Sequence, residues 1–180
     1  MNFKANESSQ KLRGAYYTPF DLAHYLSKWI TEIKPKTILE PSCGDGVFLT
    51  ALAPLISNKT TITGIELESS EAQKASIKTK SFKKTSINVM CADFLEWYLD
   101  SKKKNNLFDA VVGNPPFIRY QYLSKKDQEF SERIFKKHNL PFTKHTNAWV
   151  PFIIASLSLL KPGGRMAMVL PSEILHVLHA

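Results

Sequence analysis

Short apolar runs alternate along the chain with segments in which apolar residues recur every three or four positions. The first such run is 37–40 (TILE), and it follows a segment of helical spacing at 20–30. Strands that read as nearly continuous apolar runs are typical of parallel sheets with both faces covered by helices. The pattern therefore predicts an α/β fold built on a mostly parallel sheet.

The predicted elements follow one another in regular order. Strands are expected at 37–40, 60–67, 86–92, 108–113 and 165–170. Helices are expected at about 20–30, 47–55, 69–80, 94–99, 124–137 and 148–160, and a further helix starts at 171–173. Ser69 and Asp93 precede or open two of these helices and are candidate N-caps, because their side chains can accept from backbone N–H groups.

Length and composition indicate one domain with a core of its own. The chain has 180 residues, of which 43% are hydrophobic. Residues 1–14 are polar and are predicted to be a mobile segment, whereas residues 15–180 are predicted to form the domain. No apolar run reaches the roughly 20 residues that cross a bilayer, and no signal peptide opens the chain. These features predict a cytoplasmic protein without a membrane partner.

Charge and cysteine usage narrow the class of partner. The net charge of +8 favours a polyanion such as nucleic acid. Cys43 and Cys91 have no CxxC spacing, which argues against a disulfide framework or a zinc ribbon. The five histidines form no HExxH or similar pair, so no metal is expected.

Polar residues stand at the C-terminal ends of four predicted strands. They are the loop 40–46, Glu66, Asp93 and Asn114. Ligands of open parallel sheets bind outside the carboxyl ends of the strands, at the point where the strand order reverses. We therefore expect these residues to share one site.

The loop 40–46 (EPSCGDG) contains two glycines and two acids. Gly44 and Gly46 would let the backbone turn tightly and approach a ligand without a Cβ clash. The loop matches neither GxGxxG nor GxxxxGK[ST], so a nucleotide pyrophosphate and a dinucleotide-dependent oxidoreductase are disfavoured. Acids at Glu40 and Asp45 suit a ligand that carries positive charge. An ordinary strand-to-helix turn would also account for this loop. Cys43 lies within it and is expected to be sensitive to thiol reagents.

Two carboxylates at later strand ends suit parts of a nucleoside. Glu66 lies about 20 residues beyond the loop, where an acid typically takes ribose hydroxyls. Asp93 could accept from the exocyclic amine of an adenine, with Phe94 packing nearby. The alternatives are a solvated strand-end carboxylate for Glu66 and a helix N-cap for Asp93, and the N-cap is compatible with ligand binding.

The segment Asn114-Pro115-Pro116-Phe117 has the features of a cradle for an amine on an aromatic base. Consecutive prolines stiffen the backbone and remove two N–H donors. The Asn114 side-chain oxygen and the Pro115 carbonyl can then both accept from one NH₂ group, and Phe117 offers a face for stacking. A proline-rich turn after a strand is the alternative. Arg119, Tyr120 and Tyr122 follow directly and are expected to contact nucleic acid.

In order and spacing, these segments resemble the motifs of the TaqI-like, gamma-class N6-adenine DNA methyltransferases. The segments that carry the resemblance are 14–19 (GAYYTP), 38–49 (ILEPSCGDGVFL), 64–67 (GIEL), 92–95 (ADFL), 111–121 (VVGNPPFIRYQ), 152–164 and 165–175. The resemblance implies a Rossmann-like S-adenosylmethionine-dependent methyltransferase fold. It also implies direct methyl transfer to the N6 amino group of a flipped adenine in double-stranded DNA, without a metal.

The resemblance implies two groups of site residues. The group that would bind S-adenosylmethionine consists of Thr18, Glu40, Gly44, Gly46, Glu66, Leu67, Asp93, Phe94 and Phe152. The group that would hold the target adenine consists of Asn114, Pro115, Pro116 and Phe117. In the first group, Thr18 and the loop 40–46 would surround the methionine part, Glu66 would take the ribose, and the others would contact the adenine.

Members of that family continue beyond the segments matched here, with more strands and a target-recognition domain. We therefore expect a fold that is incomplete at its C-terminus, and a second chain could supply target recognition. Two alternatives stay open. The chain could methylate an RNA adenine or a protein glutamine, or it could be a fragment that binds S-adenosylmethionine without catalysis. The segment 14–19 and the net charge of +8 favour DNA.

Overall fold

The sheet has five parallel strands in the part of the chain that the computed structural model describes, residues 17–82, 85–100, 107–144 and 146–175. The strands are β1 (Thr37–Glu40), β2 (Thr61–Glu66), β3 (Ser86–Cys91), β4 (Phe108–Gly113) and β5 (Leu160–Met168). Their order across the sheet is β3-β2-β1-β4-β5. The α/β class and the parallel sheet are confirmed. The segment 1–14 and residues 176–180 lie outside the described ranges.

Strand β1 lies between β2 and β4, at the point where the strand order reverses. Ile38 pairs with Ile62 of β2 on one side and with Ala110 of β4 on the other. From β1 the chain first adds strands in one direction and then returns to add β4 on the opposite side. A crevice forms at such a switch point, outside the carboxyl ends of the two central strands.

Helices cover both faces of the sheet. They are α1 (Phe20–Thr31), α2 (Val47–Leu52), α3 (Ser69–Thr79), α4 (Phe94–Leu99), α5 (Lys125–Lys137) and α6 (Trp149–Ser158), with short 3-10 helices at Tyr120–Tyr122 and Ser172–Leu175. Successive strand residues point to opposite faces. Ile38 therefore packs in the core beside α1 and α2, while Leu39 packs in the core beside α4, α5 and α6.

Several element boundaries differ from the sequence-based expectations, including the start of β5, the end of α2 and the N-cap of α3. Strand β5 begins at Leu160 because Leu160 pairs with Phe108, and a register shift then accommodates the turn around Gly163, where φ is +79°. Helix α2 ends at Leu52, three residues earlier than predicted. The N-cap of α3 is Glu68, and Ser69 is already the first helical residue, so the predicted Ser69 cap is wrong.

The described residues contain neither a membrane-spanning helix nor a metal-binding cluster of side chains. No helix there combines the length and apolar character needed to cross a bilayer. No group of three or more His, Cys, Asp or Glu side chains in the same part of the chain could hold a metal ion.

Candidate functional site

A cleft of about 450 Å³ opens at the carboxyl ends of the strands. Its walls include eight of the predicted site residues, namely Gly44, Glu66, Leu67, Asp93, Phe94, Asn114, Pro116 and Phe152. The other predicted residues do not line it, namely Thr18, Glu40, Gly46, Pro115 and Phe117. The strand-end residues thus meet in one place, as the sheet topology requires.

Glu66 ends β2 and fixes the loop that follows β1. Its Oε2 accepts from the backbone N–H of Gly44 at 2.8 Å, and its Oε1 accepts from the backbone N–H of Glu68 at 2.8 Å. Each carboxylate oxygen can accept more than one hydrogen bond, so both retain capacity for a ligand. A fixed carboxylate with two oxygens in a cleft suits a pair of neighbouring hydroxyls.

The two glycines of the loop have different roles. Gly44 has φ +51°, and a Cβ there would meet nothing within 4 Å, so the backbone is open at this point of the cleft wall. Gly46 has φ +88°, and a Cβ there would come within 3.0 Å of the Ala75 Cβ. Gly46 therefore permits the packing of α2 against α3. From sequence, both glycines were expected to let the backbone approach a ligand. Of the two, only Gly44 lines the cleft.

The acids of the loop are placed unequally. Glu40 is only 1% exposed, and its Oε2 has no hydrogen-bond partner among the described residues. Burial, with the negative charges of Glu66 and Asp45 adding to it, raises the pKa of Glu40 well above its ordinary value. Asp45 instead pairs with Lys78 of α3 at 2.6 Å and lies outside the cleft. Glu40 is thus a buried carboxyl whose ionised form is disfavoured, whereas Asp45 is held by an ion pair at the surface of the loop.

Cys43 in the same loop is inaccessible. It is 3% exposed, and burial together with the Glu40 and Glu66 carboxylates raises the pKa of its thiol. A protonated, buried thiol is a poor nucleophile. The expected sensitivity of Cys43 to thiol reagents is therefore wrong for the folded protein.

Asp93 and two aromatic residues form the opposite part of the cleft. Asp93 caps α4, where its Oδ1 accepts from the backbone N–H groups of Leu95 at 2.8 Å and Glu96 at 3.1 Å. The predicted N-cap is confirmed, and contact with an adenine stays a prediction. Burial raises the pKa of Asp93. The rings of Phe94 and Phe152 lie 5.2 Å apart at an angle of 41° and provide an apolar surface beside the carboxylate.

Asn114 lies at the end of β4, within reach of the loop after β1 and of the segment before α1. Its Nδ2 donates to Thr18 Oγ1 at 3.1 Å, and its main-chain oxygen accepts from Ser42 Oγ at 3.0 Å. Pro115 is buried, whereas Pro116 lines the cleft. Asn114 is therefore joined by hydrogen bonds to the loop after β1 and to the segment before α1.

The residues after the cradle close one side of the cleft. Arg119 and Asn147 form an isolated antiparallel β-bridge through their backbones. The N–H of Ala148 donates to the carbonyl of Ile118 at 2.8 Å. Arg119 is exposed, and Tyr122 is 63% exposed at the cleft. Tyr120 is buried and donates to Glu132 at 2.9 Å, so the expectation that Tyr120 contacts nucleic acid is wrong.

Sequence reasoning missed part of the cleft wall. The missed residues include Ser70, Glu71, Ile118, Leu123, Asp127, Ser131 and Ala148. Asp127 and Ser131 are four positions apart on α5, and this spacing could have shown that they share a helix face. Only the docking of α5 beside α4 shows that this face adjoins Asp93.

The amino-acid sequence of the chain is similar to those of proteins in one family. The family model described as N-6 DNA Methylase matches residues 2–178. The type II methyltransferase M.AccI of Acinetobacter calcoaceticus is 29% identical over 164 residues, which are 89% of this chain and 28% of that protein. M.BanIII of Aneurinibacillus aneurinilyticus is 29% identical over 189 residues, covering 92% of this chain and 32% of that protein. The chain thus spans less than a third of the length of these curated relatives.

A solved structure has the same fold. It is the methyltransferase subunit of a type I restriction-modification system from Streptococcus thermophilus, with a TM-score of 0.68 and 22% identity. The match covers 89% of this chain and 35% of that chain. The fold is therefore Rossmann-like, of the kind found in S-adenosylmethionine-dependent methyltransferases.

Proposed function

Because the chain belongs to the N-6 DNA methylase family, we propose that it carries the donor site and the acceptor site of an adenine-N6 DNA methyltransferase. Its methyl donor is S-adenosylmethionine, and its acceptor is an adenine rotated out of double-stranded DNA. The observation that carries this proposal is the shared wall of the cleft, in which Ser42 of the acidic loop donates to Asn114 of the Asn-Pro-Pro-Phe segment at 3.0 Å. Donor and acceptor residues are thereby neighbours.

The residues of the donor side fit the cofactor chemically. Glu40 has a buried carboxylate oxygen without a hydrogen-bond partner in the described part of the chain, which suits a ligand with cationic groups. Glu66 would accept from the ribose hydroxyls, while Gly44 lets the backbone come close. Leu67, Phe94 and Phe152 would enclose the adenine ring, and Asp93 would accept from its amine.

When bound, S-adenosylmethionine supplies a methyl group already activated by the positive charge on sulfur. The task of the protein is then to bring the acceptor nitrogen in line with that methyl group. Fixed positions of both reactants can lower the barrier by roughly 7–11 kcal/mol relative to free encounter. The rigid Pro115-Pro116 pair beside Asn114 suits this positioning role.

The acceptor side addresses the low nucleophilicity of adenine N6, whose lone pair is delocalised into the ring. Asn114 Oδ1 and the Pro115 carbonyl would each accept a hydrogen bond from one N–H of the amine. Acceptors aimed in this way draw the nitrogen toward a tetrahedral geometry and stabilise positive charge as it develops. Phe117 would stack on the flipped base. Rotating the base out of the duplex costs a few kcal/mol.

DNA is the acceptor that fits the charge and the surroundings of the cradle. The net charge is +8, and Arg119 and Tyr122 are exposed directly after the cradle. Sequence-specific recognition also requires contacts to base edges in the grooves. A solved structure with this fold is the methyltransferase subunit of a restriction-modification system. By analogy, we propose that a second chain can supply those contacts.

The test has two stages. Calorimetric titration with S-adenosylmethionine asks whether the donor site binds, and a methyl-labelled cofactor then asks which acceptor takes the label. Unmethylated duplex DNA is compared with RNA and with a glutamine-containing peptide. Label on adenine N6 of DNA is the expected result. Label on RNA or peptide would replace the proposed acceptor, and binding without transfer would indicate a non-catalytic fragment.

A further inference from the structure

Asn114 is held from two sides by hydroxyl groups that belong to other segments. Thr18 precedes α1 and accepts from Asn114 Nδ2 at 3.1 Å. Ser42 follows β1 and donates to the main-chain oxygen of Asn114 at 3.0 Å. The partners are 96 and 72 positions away from Asn114 along the chain, so only the folded domain brings them together.

The Ser42 hydrogen bond acts on the peptide that joins Asn114 to Pro115. Pro115 has a fixed φ and no N–H group, so the orientation of this peptide sets the direction in which the chain leaves β4. The same region is in van der Waals contact with the loop after β1, because a Cβ on Gly113 would lie 3.4 Å from Pro41 Cδ. Because Pro116 follows Pro115, the ψ of Pro115 is restricted to the extended region. Holding the Asn114 carbonyl therefore also limits where the Pro115 carbonyl can point.

The Thr18 hydrogen bond acts on the side chain. The nitrogen and oxygen of a carboxamide lie on opposite branches of one planar group. When Nδ2 of Asn114 donates to Thr18, Oδ1 is turned toward the other side. Thr18 is buried and does not line the cleft. The observed contact of its hydroxyl is with Asn114. The family resemblance had implied that Thr18 lies beside the cofactor.

We propose that Ser42 and Thr18 are positioning residues, which aim the two acceptors of the cradle at the target amine. Ser42 fixes the main chain of the cradle and Thr18 fixes the carboxamide of Asn114. This proposal rests on the methyl-transfer function proposed above. It also makes the loop after β1 and the cradle one unit, since Ser42 belongs to the first and bonds to the second.

The kinetic test removes each hydroxyl and then restores it. Ser42→Ala and Thr18→Val delete the hydrogen bonds, whereas Ser42→Thr and Thr18→Ser keep a hydroxyl. Ser81→Ala is the matched control, because Ser81 Oγ donates to the Lys78 carbonyl at 3.0 Å on an exposed surface outside the cleft. The single-turnover rate of methyl transfer to duplex DNA is measured at saturating cofactor, and cofactor affinity is measured by calorimetry.

Each deletion is expected to slow transfer about tenfold, the effect of one lost hydrogen bond in an aligned site, with cofactor affinity changed by less than about twofold. The hydroxyl-retaining variants should recover most of the rate, and Ser81→Ala should match the wild type. Equal rates for wild type and Ser42→Ala would overturn the proposal. Parallel loss of rate and cofactor affinity would overturn it as well, because the hydroxyls would then serve cofactor binding.

A second measurement needs no substrate. The side-chain amide of Asn114 gives a pair of NMR signals, which are assigned by their loss in Asn114→Asp. Thr18→Val should shift these signals and Thr18→Ser should restore them, while signals in Thr18→Val that match the wild type would overturn the role of Thr18. If the wild-type chain binds cofactor but transfers no methyl group, the proposed function fails, and these signals still decide whether Thr18 holds Asn114.

Discussion

The Glu66 carboxylate and the backbone N–H of Gly44 are joined by a hydrogen bond of 2.8 Å that links the end of β2 to the loop after β1. Because Gly44 has φ +51° and no side chain, the loop can adopt this shape and leave its backbone open to the cleft. Glu66 therefore has two tasks. It organises the loop, and we propose that it also presents oxygens to the cofactor.

Replacing Glu66 should weaken cofactor binding. Glu66→Ala is expected to cost about 1.5–3 kcal/mol of binding free energy, the usual range for hydrogen bonds to a charged group. Glu66→Gln should also weaken binding, because an NH₂ group would replace one of the two oxygens that face backbone N–H donors. Calorimetric titration with S-adenosylmethionine measures both. Glu129→Gln, on the exposed face of α5, is the charge-matched control, and an affinity unchanged by Glu66→Ala would refute the assignment.

Replacing Asn114 should separate catalysis from cofactor binding. Asn114→Ala removes one of the two proposed acceptors and is expected to slow transfer by about 100-fold or more, by analogy with loss of one preorganised hydrogen-bonding group. The cofactor affinity should change little. Labelled-methyl transfer and calorimetry give the two readouts, with Asn88→Ala on the exposed side of β3 as control. A comparable drop in affinity and rate would contradict the assigned role.

Replacing Glu40 should stabilise the cofactor-free protein and weaken cofactor binding. Glu40→Gln removes a buried carboxyl that is costly to ionise and has an oxygen without a hydrogen-bond partner among the described residues. The substitution is expected to raise the free energy of unfolding by about 1–3 kcal/mol near pH 7, the usual cost of a buried group left without its partner. Urea denaturation without cofactor measures this effect. Glu129→Gln should leave stability unchanged. A destabilised Glu40→Gln variant would show that the carboxylate is paired in the folded protein.

The same substitution has a definite pH dependence. Burial raises the pKa of Glu40 above its ordinary value of 4.5, so the folded state favours the protonated form. The resulting stabilisation is fully present below pH 4.5 and is lost as pH rises through the folded-state pKa. The stability advantage of Glu40→Gln should therefore be smallest at acidic pH and grow toward neutral pH. A constant difference across that range would contradict the raised pKa.

The two cysteines should react at very different rates. Cys91 is exposed, while Cys43 is buried with a raised thiol pKa. A thiol reagent at neutral pH is expected to modify Cys91 rapidly in the native protein and Cys43 only after unfolding. Mass spectrometry of the modified peptides measures this directly. Cys91→Ser should abolish the fast reaction, and rapid labelling that persists in that variant would show that the loop after β1 opens.

The sequence predicted the elements that are set by local pattern. The run that forms β1 and the polar residues after β1, β2, β3 and β4 were visible because apolar strands end abruptly at them. The start of β5 was missed because Lys161-Pro162-Gly163-Gly164 reads as a turn, although the pairing of Leu160 with Phe108 places it within a strand. Such pairing is a tertiary effect and leaves no local signal.

The site was predicted less completely than the sheet. Motif residues at strand ends were brought together as expected, because parallel topology gathers those ends. The burial of Tyr120 and the packing role of Gly46 were not foreseen, since their neighbours Glu132 and Ala75 come from helices that the motif does not include. Ser42 was recognised only as part of a loop, and its bond to Asn114 spans 72 positions.

The strand order places the proposed donor site and the proposed acceptor site on opposite sides of β1. The residues proposed to hold the donor follow mainly β1, β2 and β3, whereas the cradle for the acceptor follows β4 on the other side of β1. Sequence changes after β4 could therefore alter the kind of molecule that is modified while the donor half stays intact. This separation suits a fold that hosts many functions. Strand β1 is then the boundary beyond which the acceptor residues can change without altering the donor site.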